Sequence, residues 1–294
     1  MRPAILAPTI HEYAEPQVLV DLARAAEQAG WEGFFVWDHL VLDPAGQIPI
    51  TDATVALSAI AAVTERLVIG PMVTPISRRR PWKVAKELAA LDRLSNGRLR
   101  FGVGLGAVDD EFANFGEEPD KKTLARKTDE GLALIERLLT GEQVDYESAH
   151  YHVTRARLLP RPVQSRIPVW VAAMLPFKGG QRRAARWDGI LPQKLPKRLA
   201  DGSGDTTGLD WYEFCLEPVE LKDVIAFVRD ARNSDHPFEV VAYGTTYGID
   251  TDSARQKLLA YRQAGATWWC EWLNPAPGSL DRMRRHVLAG PLRI

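Results

Sequence analysis

The feature that most constrains the fold is a rhythm of short apolar runs, each followed by a helical pattern. Clear examples are Gly33–His39, Leu67–Pro75 and Gly97–Gly106. Buried parallel strands have this apolar character, and crossover helices must connect them. Candidate strands begin near Ala4, Gly33, Leu67, Leu99, Pro168, Gly189, Phe238 and Thr267. Eight such units predict an α/β fold, a closed (β/α)8 TIM barrel with its chemistry at the carboxyl ends of the strands.

Length and charge set the broad class of protein. The chain has 294 residues, enough for a barrel of about 250 residues with insertions, so we expect one domain over residues 1–294. The net charge of −1 gives no field that would attract nucleic acid or a membrane surface. Two cysteines, no signal peptide and no long apolar run predict a cytoplasmic protein without disulfides.

Two connections are too long for simple crossovers, which predicts insertions after strands 4 and 6. The first contains a helix near Thr123–Thr140 and an alternating segment, Glu142–Pro160, typical of a β-hairpin. Because the hairpin precedes a strand, we expect it near the amino-terminal face of the barrel. The second, Leu195–Glu217, follows a strand and combines the polar stretch Asp201–Asp205 with three aromatic residues. This pattern predicts a substrate lid, with an ordinary surface loop as the alternative.

The pair Asp38-His39 ends the second predicted strand and is the main catalytic candidate. Among the six histidines, His39 alone ends a strand at the mouth beside a carboxylate, and His11 is its competitor. A histidine there can move a proton or hydrogen-bond a cofactor, while a structural role is the alternative. Asp38 could either raise the pKa of the His39 imidazole or fix its tautomer. The run Ser77–Arg80 is either a solvated helix entrance or a phosphate contact.

Other motifs exclude several chemistries. The glycines of Gly102–Gly106 alternate within a strand and do not form the dinucleotide fingerprint, so they indicate tight packing or a flat ring against the strand. The pair His150 and His152 comes with no cysteine or acidic ligand, and we expect no metal site. There is no serine-hydrolase elbow, P-loop or Cys-x-x-Cys pair.

The segments Gly33–His39, Leu67–Pro81 and Asp92–Gly106 resemble the bacterial luciferase-like family. The resemblance extends through Leu159–Gln164 and Ile167–Met174, and covers about the first two thirds of the chain. It implies a (β/α)8 barrel that uses a flavin or a deazaflavin. The motifs are specific to the family and carry no information on the substrate.

The resemblance also implies roles for individual residues. His39 matches a position that contacts the substrate or the reactive ring edge. The implied cofactor contacts lie at the ends of strands two to five: Asp38, Met72, Thr74, Ala107, Asp110, Ala172, Ala173 and Met174. Met72 falls in a strand bulge, Thr74 and Ala107 match ring contacts, and Asp110 matches a ribityl contact. Ala172–Met174 replace a common phosphate-binding Gly-Gly, and Lys178–Gly180 offer a substitute.

These observations predict an FMN-dependent oxidoreductase, a luciferase-like monooxygenase acting on a small organic substrate. The alternative is hydride transfer with the deazaflavin coenzyme F420. Two further alternatives are a non-catalytic flavin-binding protein and a barrel hydrolase that pairs carboxylates among Asp38, Asp110 and Glu271. A flavin reductase is a candidate partner, and we expect a homo-oligomer.

Overall fold

The computed structural model describes residues 1–43, 45–117, 120–197 and 210–294. In this part of the chain the strands are β1 Arg2–Ala7, β2 Gly33–Val36, β3 Val68–Pro71, β4 Thr74–Pro75, β5 Phe101–Gly104, β6 Val144–Glu147, β7 His152–Ala156, β8 Val169–Leu175, β9 Gly189–Lys194, β10 Glu239–Gly244 and β11 Trp268–Trp272. The helices are α1 Pro16–Ala29, α2 Ala53–Val63, α3 Pro81–Leu94, α4 Asp110–Ala113, α5 Lys121–Leu139, α6 Lys178–Ala184, α7 Pro218–Ala231, α8 Thr251–Ala264 and α9 Leu280–Ala289.

The main sheet is a parallel barrel, which confirms the predicted fold class. Its strand order is β3-β2-β1-β11-β10-β9-β8-β5-β4, and every pair is parallel. Strands β3 and β4 are two segments of one barrel strand, interrupted at Met72 and Val73, whose peptide bond is cis. The ring closes because β4 pairs with β5 and Ile69 bridges to Leu99. All eight barrel strands begin within two residues of the predicted positions.

The interior of the barrel is filled near the amino ends of its strands. The rings of Phe35, Trp170 and Trp268 pack together with centroids 5.3–5.8 Å apart. The carboxylate of Glu239, the first residue of β10, accepts hydrogen bonds from both indoles at 2.9 and 2.8 Å. It also pairs with Arg100 at 3.0 Å. This plug leaves the carboxyl ends of the strands as the open mouth.

The antiparallel hairpin β6–β7 forms as predicted. Its turn, however, does not lie near the amino-terminal face of the barrel, where the sequence analysis placed the hairpin. The hairpin folds back along α5, where Glu130 binds His150 and its carbonyl accepts the Tyr146 hydroxyl at 3.0 Å. This packing carries Tyr151 to the cavity lined by Ser77 and the arginines after β4. The turn therefore lies on the mouth side of α5.

Of the insertion after strand β9, the polar stretch Asp201–Asp205 lies outside the described residues. The aromatic part is described and forms a short 3-10 turn, Trp211–Phe214. None of the described helices combines the length and apolar character needed to cross a membrane.

Candidate active site

The end of β2 is held to the end of β4 through Asp38. Its carboxylate accepts the Thr74 hydroxyl at 2.6 Å and an Arg78 guanidinium nitrogen at 3.1 Å. A second arginine, Arg79, lies 3.6 Å from the same carboxylate. Asp38 and Thr74 are both buried. The structure thus brings these two predicted residues together, and their side chains bind each other.

Glu111, on the short helix α4, connects this network to His39. One carboxylate oxygen accepts the Leu40 amide at 2.6 Å and lies 3.2 Å from His39 Nδ1. The other oxygen lies 2.9 Å from Arg78 Nη1, an ion pair in which neither atom makes a hydrogen bond. Burial would raise the pKa of the Glu111 carboxyl. The hydrogen bond and charge of His39, with Arg78, outweigh burial and hold that pKa below its usual value.

An ionised Glu111 determines the tautomer of His39. A carboxylate only accepts hydrogen bonds, so Nδ1 of His39 carries the proton it donates. The other ring nitrogen, Nε2, then has a free lone pair in neutral histidine. The His39 side chain remains 20% exposed, which leaves it accessible at the mouth. The partner of His39 is therefore Glu111, whereas the Asp38 carboxylate binds Thr74 and Arg78. Fixing the tautomer, one of the two roles considered for Asp38, belongs to Glu111.

An aromatic cluster lies on one side of His39. The ring of Trp37 lies 5.8 Å from His39, 5.2 Å from Trp211 and 5.8 Å from Trp272. The Tyr212 hydroxyl donates to the carbonyl of Trp272 at 3.2 Å. The described part of the predicted lid is thus anchored to the barrel and covers one side of the mouth.

Small side chains occupy the ends of strands β3, β5 and β8. A Cβ at Gly104 would meet Val73 at 2.6 Å and Ala172 at 3.7 Å, so Val73 and Ala172 lie close together above a residue without a side chain. Both are half-buried against the interior cluster that contains Met72. Ala107 is exposed on the loop after β5. Of the residues Met72, Val73, Ala107 and Ala172, Met72 alone has a large side chain. This surface therefore has room for a flat ring.

The remaining predicted cofactor residues are more dispersed. Ala173 is buried in the outer core between barrel and helices, and Met174 is half-buried at the end of β8. Asp110 is half-exposed at the start of α4. The Lys178 ammonium lies 4.4 Å from the centroid of the Phe227 ring, so it packs on α7.

Sequence reasoning missed Glu111 and Arg78 as parts of the site. Both are close to residues that the sequence analysis singled out. Arg78 belongs to the Ser77–Arg80 run, and Glu111 directly follows Asp110. Three further buried polar atoms near strand ends make no hydrogen bond. Thr9 Oγ1 and Glu12 Oε2 follow strand β1, and Trp272 Nε1 lies at the end of β11.

Glu271 does not belong to this site. Its buried carboxylate accepts hydrogen bonds from Thr245, Thr246, Trp269 and His286 at 2.5–3.0 Å. Because protein donors occupy both oxygens, the carboxylate is not available to a substrate, which argues against the hydrolase alternative. His286 lies on α9, and its Nε2 is 3.0 Å from Glu271. Among the described residues, no three His, Cys, Asp or Glu side chains form a metal-binding group.

The chain belongs to the luciferase-like monooxygenase family, whose sequence profile matches residues 2–204. This confirms the resemblance inferred from the strand-end motifs and makes the protein a member of an oxidoreductase family.

Curated relatives are named for coenzyme F420. An F420-dependent glucose-6-phosphate dehydrogenase of Microbacterium testaceum is 30% identical over 82% of this chain and 68% of its own length. The corresponding protein of Amycolatopsis mediterranei is 35% identical over 76% of this chain and 64% of its own length. The chain therefore spans about two thirds of these relatives.

Solved structures share the fold at low identity. The F420-dependent tetrahydromethanopterin reductase of Methanopyrus kandleri gives a TM-score of 0.75 at 16% identity, with 98% of each chain covered. A type II Baeyer–Villiger monooxygenase component of Pseudomonas putida in complex with FMN gives 0.71 at 14% identity, covering 98% of this chain and 96% of that one.

Proposed function

We propose that this protein is a coenzyme F420-dependent oxidoreductase that transfers hydride between the deazaflavin and a small substrate bearing a hydroxyl or carbonyl group. The observation that carries the proposal is that the two curated relatives described above are both named for F420. It replaces FMN monooxygenation as the first choice, because the FMN-bound neighbour supports the fold alone. FMN-dependent monooxygenation is the second candidate, favoured by the description of the family.

The mouth suits such a reaction. Val73, Ala107 and Ala172 would seat the flat ring, with Met72 beneath it. Asp110 and the backbone of Ala172–Met174 are the proposed contacts for the side chain of the coenzyme. Asp38 and Thr74 would act indirectly, since their mutual hydrogen bond joins the loops on which His39 and the ring surface lie.

The bound deazaflavin would supply a ring carbon that accepts a hydride from the substrate carbon. His39 Nε2 accepts the hydroxyl proton of the same substrate, so that the alcohol becomes a carbonyl compound. Glu111 keeps the imidazole oriented through Nδ1 and stabilises the cation formed when Nε2 is protonated. Trp37 and Trp211 exclude water from one side of the mouth. Carbonyl reduction uses the same groups in reverse.

The cofactor is tested by expressing the protein in a host that makes deazaflavin and identifying the released ligand by mass spectrometry. We expect coenzyme F420, and tighter binding of F420 than of FMN when the protein is titrated with each. Ala107→Trp should abolish this binding and leave the circular dichroism unchanged. Val55→Trp is the matched control, because Val55 is 59% exposed on α2. Retention of FMN with no affinity for F420 would support the second candidate.

Turnover separates an enzyme from a flavin-binding protein. We expect F420 reduction with a hydroxyl substrate, independent of oxygen and of any flavin reductase. A monooxygenase would instead consume oxygen and require a supply of reduced FMN. Binding without turnover on a panel of alcohols and aldehydes would favour a non-catalytic role. A homo-oligomer remains a prediction, to be measured by light scattering.

A further inference from the structure

A cavity of about 450 Å³ lies beside the mouth, on the far side of the turn that follows β4. The turn contributes Arg78, Arg79 and Arg80, α5 contributes Lys127, and the β6–β7 turn contributes His150. We call this space the basic cavity. None of the residues proposed above to contact the ring lines it.

The charge of the basic cavity is one-sided. Four cationic side chains line it, and Glu117 is the one carboxylate among its described lining residues. Carboxylates behind the wall pair with Arg78 and Arg79, so the excess positive charge is on Arg80 and Lys127. Arg78 forms an ion pair with Asp38, and Arg79 forms one with Glu87. Their guanidinium groups are therefore fixed in place before any ligand arrives, which lowers the entropic cost of binding.

Arg78 forms the buried part of this wall. Its side chain is only 4% exposed, and it pairs with Asp38 at 3.1 Å and with Glu111 at 2.9 Å. Its charge is therefore balanced within the protein. The side chains left to contact a ligand anion are Arg80 and Lys127, which line the same cavity.

We propose that the basic cavity binds a phosphate or carboxylate group of a small molecule. The planar guanidinium of arginine can donate two parallel hydrogen bonds to two oxygens of either group, and arginine is the usual residue for recognising them. A volume of 450 Å³ lies within the range of about 300–1,000 Å³ typical of small-molecule sites, so it has room for more than the anionic group. The site stands on these contacts and does not depend on the proposed reaction.

The experiment uses pyrophosphate as the probe and isothermal titration calorimetry on the full chain at an ionic strength near 0.15 M, where weak surface attraction is screened. Lys127→Met should weaken pyrophosphate binding about tenfold, the effect of losing one charge-assisted hydrogen bond. Arg80→Met should have a similar effect. Arg126→Met is the matched control, because Arg126 is an exposed neighbour on α5 that does not line the cavity.

The control should bind pyrophosphate within about twofold of the unaltered protein, and all three variants should keep its melting temperature. Absence of pyrophosphate binding, or equal loss in Arg126→Met and Lys127→Met, would overturn the site. Competition then identifies the source of the anion. Displacement by coenzyme F420 but not by its ring without the anionic side chain would assign the cavity to the coenzyme. Displacement by neither would assign it to a separate anionic ligand.

Discussion

Two buried glutamates pair with histidines at the carboxyl ends of barrel strands, and their surroundings differ. Both oxygens of Glu271 are filled, by five hydrogen bonds that include one from His286. Glu111 receives hydrogen bonds on one oxygen, from His39 and Leu40, and its other oxygen faces Arg78 without one. The saturated pair fixes neighbouring elements, whereas in the other pair the buried Glu111 orients a partly exposed His39 at the open mouth.

The largest expected contrast is in catalysis. His39→Gln should lower kcat by about 10²–10⁴-fold, because it removes the group that accepts the substrate proton. His286→Gln should leave kcat within about threefold, since His286 contacts Glu271 and no proposed substrate atom. Steady-state kinetics with saturating coenzyme measures both. Equal losses in the two variants, or a loss confined to His11→Ala, would remove the proton-transfer role from His39.

Stability should depend more on the Glu271–His286 pair than on the Glu111–His39 pair. Glu271→Ala should lower the free energy of unfolding by about 3–5 kcal/mol, because it leaves the buried donors Thr246 and Trp269 and the half-buried His286 without an acceptor. Urea unfolding followed by circular dichroism measures the change. His39→Ala is the reference, because its ring is partly exposed and its loss uncovers fewer buried groups. A smaller effect for Glu271 than for His39 would contradict the structural role.

The same carboxylate makes stability depend on pH. Burial would raise the pKa of Glu271, but the hydrogen bond and charge of His286, with Trp269 and Thr246, lower it below the usual value. The pKa of Glu271 is therefore lower in the folded protein than in the unfolded chain, where it is about 4.3. The stability that Glu271 contributes is fully present above the unfolded pKa and is lost as the pH falls through the folded pKa. Unfolding titrations of Glu271→Gln and the unaltered protein should therefore converge in acid, and a constant difference down to low pH would contradict the assignment.

A smaller effect should follow from removing the charge beside His39. Glu111→Gln keeps the shape of the side chain but loses the charge that stabilises protonated His39, so kcat should fall about tenfold. The KM for the coenzyme should be unchanged, because Glu111 is fully buried behind His39 and Arg78. A rise in KM with constant kcat would instead show that Glu111 only shapes the ring surface.

The barrel was predictable because its eight strands are buried on both sides. Burial on two sides leaves an apolar run in the sequence, and such a run needs no knowledge of distant contacts. His39 was predictable for the same reason, since it follows the end of one of these runs. Met72 and Ala107 came from family resemblance, and their cofactor roles remain proposals.

The partners of these residues were not predictable. Asp38 is the sequence neighbour of His39, yet in the structure Asp38 binds Thr74. His39 instead contacts Glu111, which is 72 residues away in the chain. The path of the β6–β7 hairpin was also decided by a distant contact, the one between His150 and Glu130. Each choice depends on which surfaces meet after folding, and the local pattern does not carry that information.

The smallest predicted effect concerns the aromatic cover of the mouth. Trp211 packs on Trp37 at 5.2 Å and stacks on Phe214 at 6.1 Å, beside the histidine proposed to be catalytic. Aromatic contacts of this kind contribute about 0.5–1.5 kcal/mol, so Trp211→Ala should raise the substrate KM by about two- to tenfold. Coenzyme affinity should not change, because the ring contacts of Trp211 are with Trp37 and Phe214, neither of which belongs to the proposed ring surface. Glu213→Ala, an exposed neighbour in the same turn, should leave KM unaltered. A Trp211→Ala enzyme with unchanged KM would show that this turn packs on the barrel without contacting the substrate.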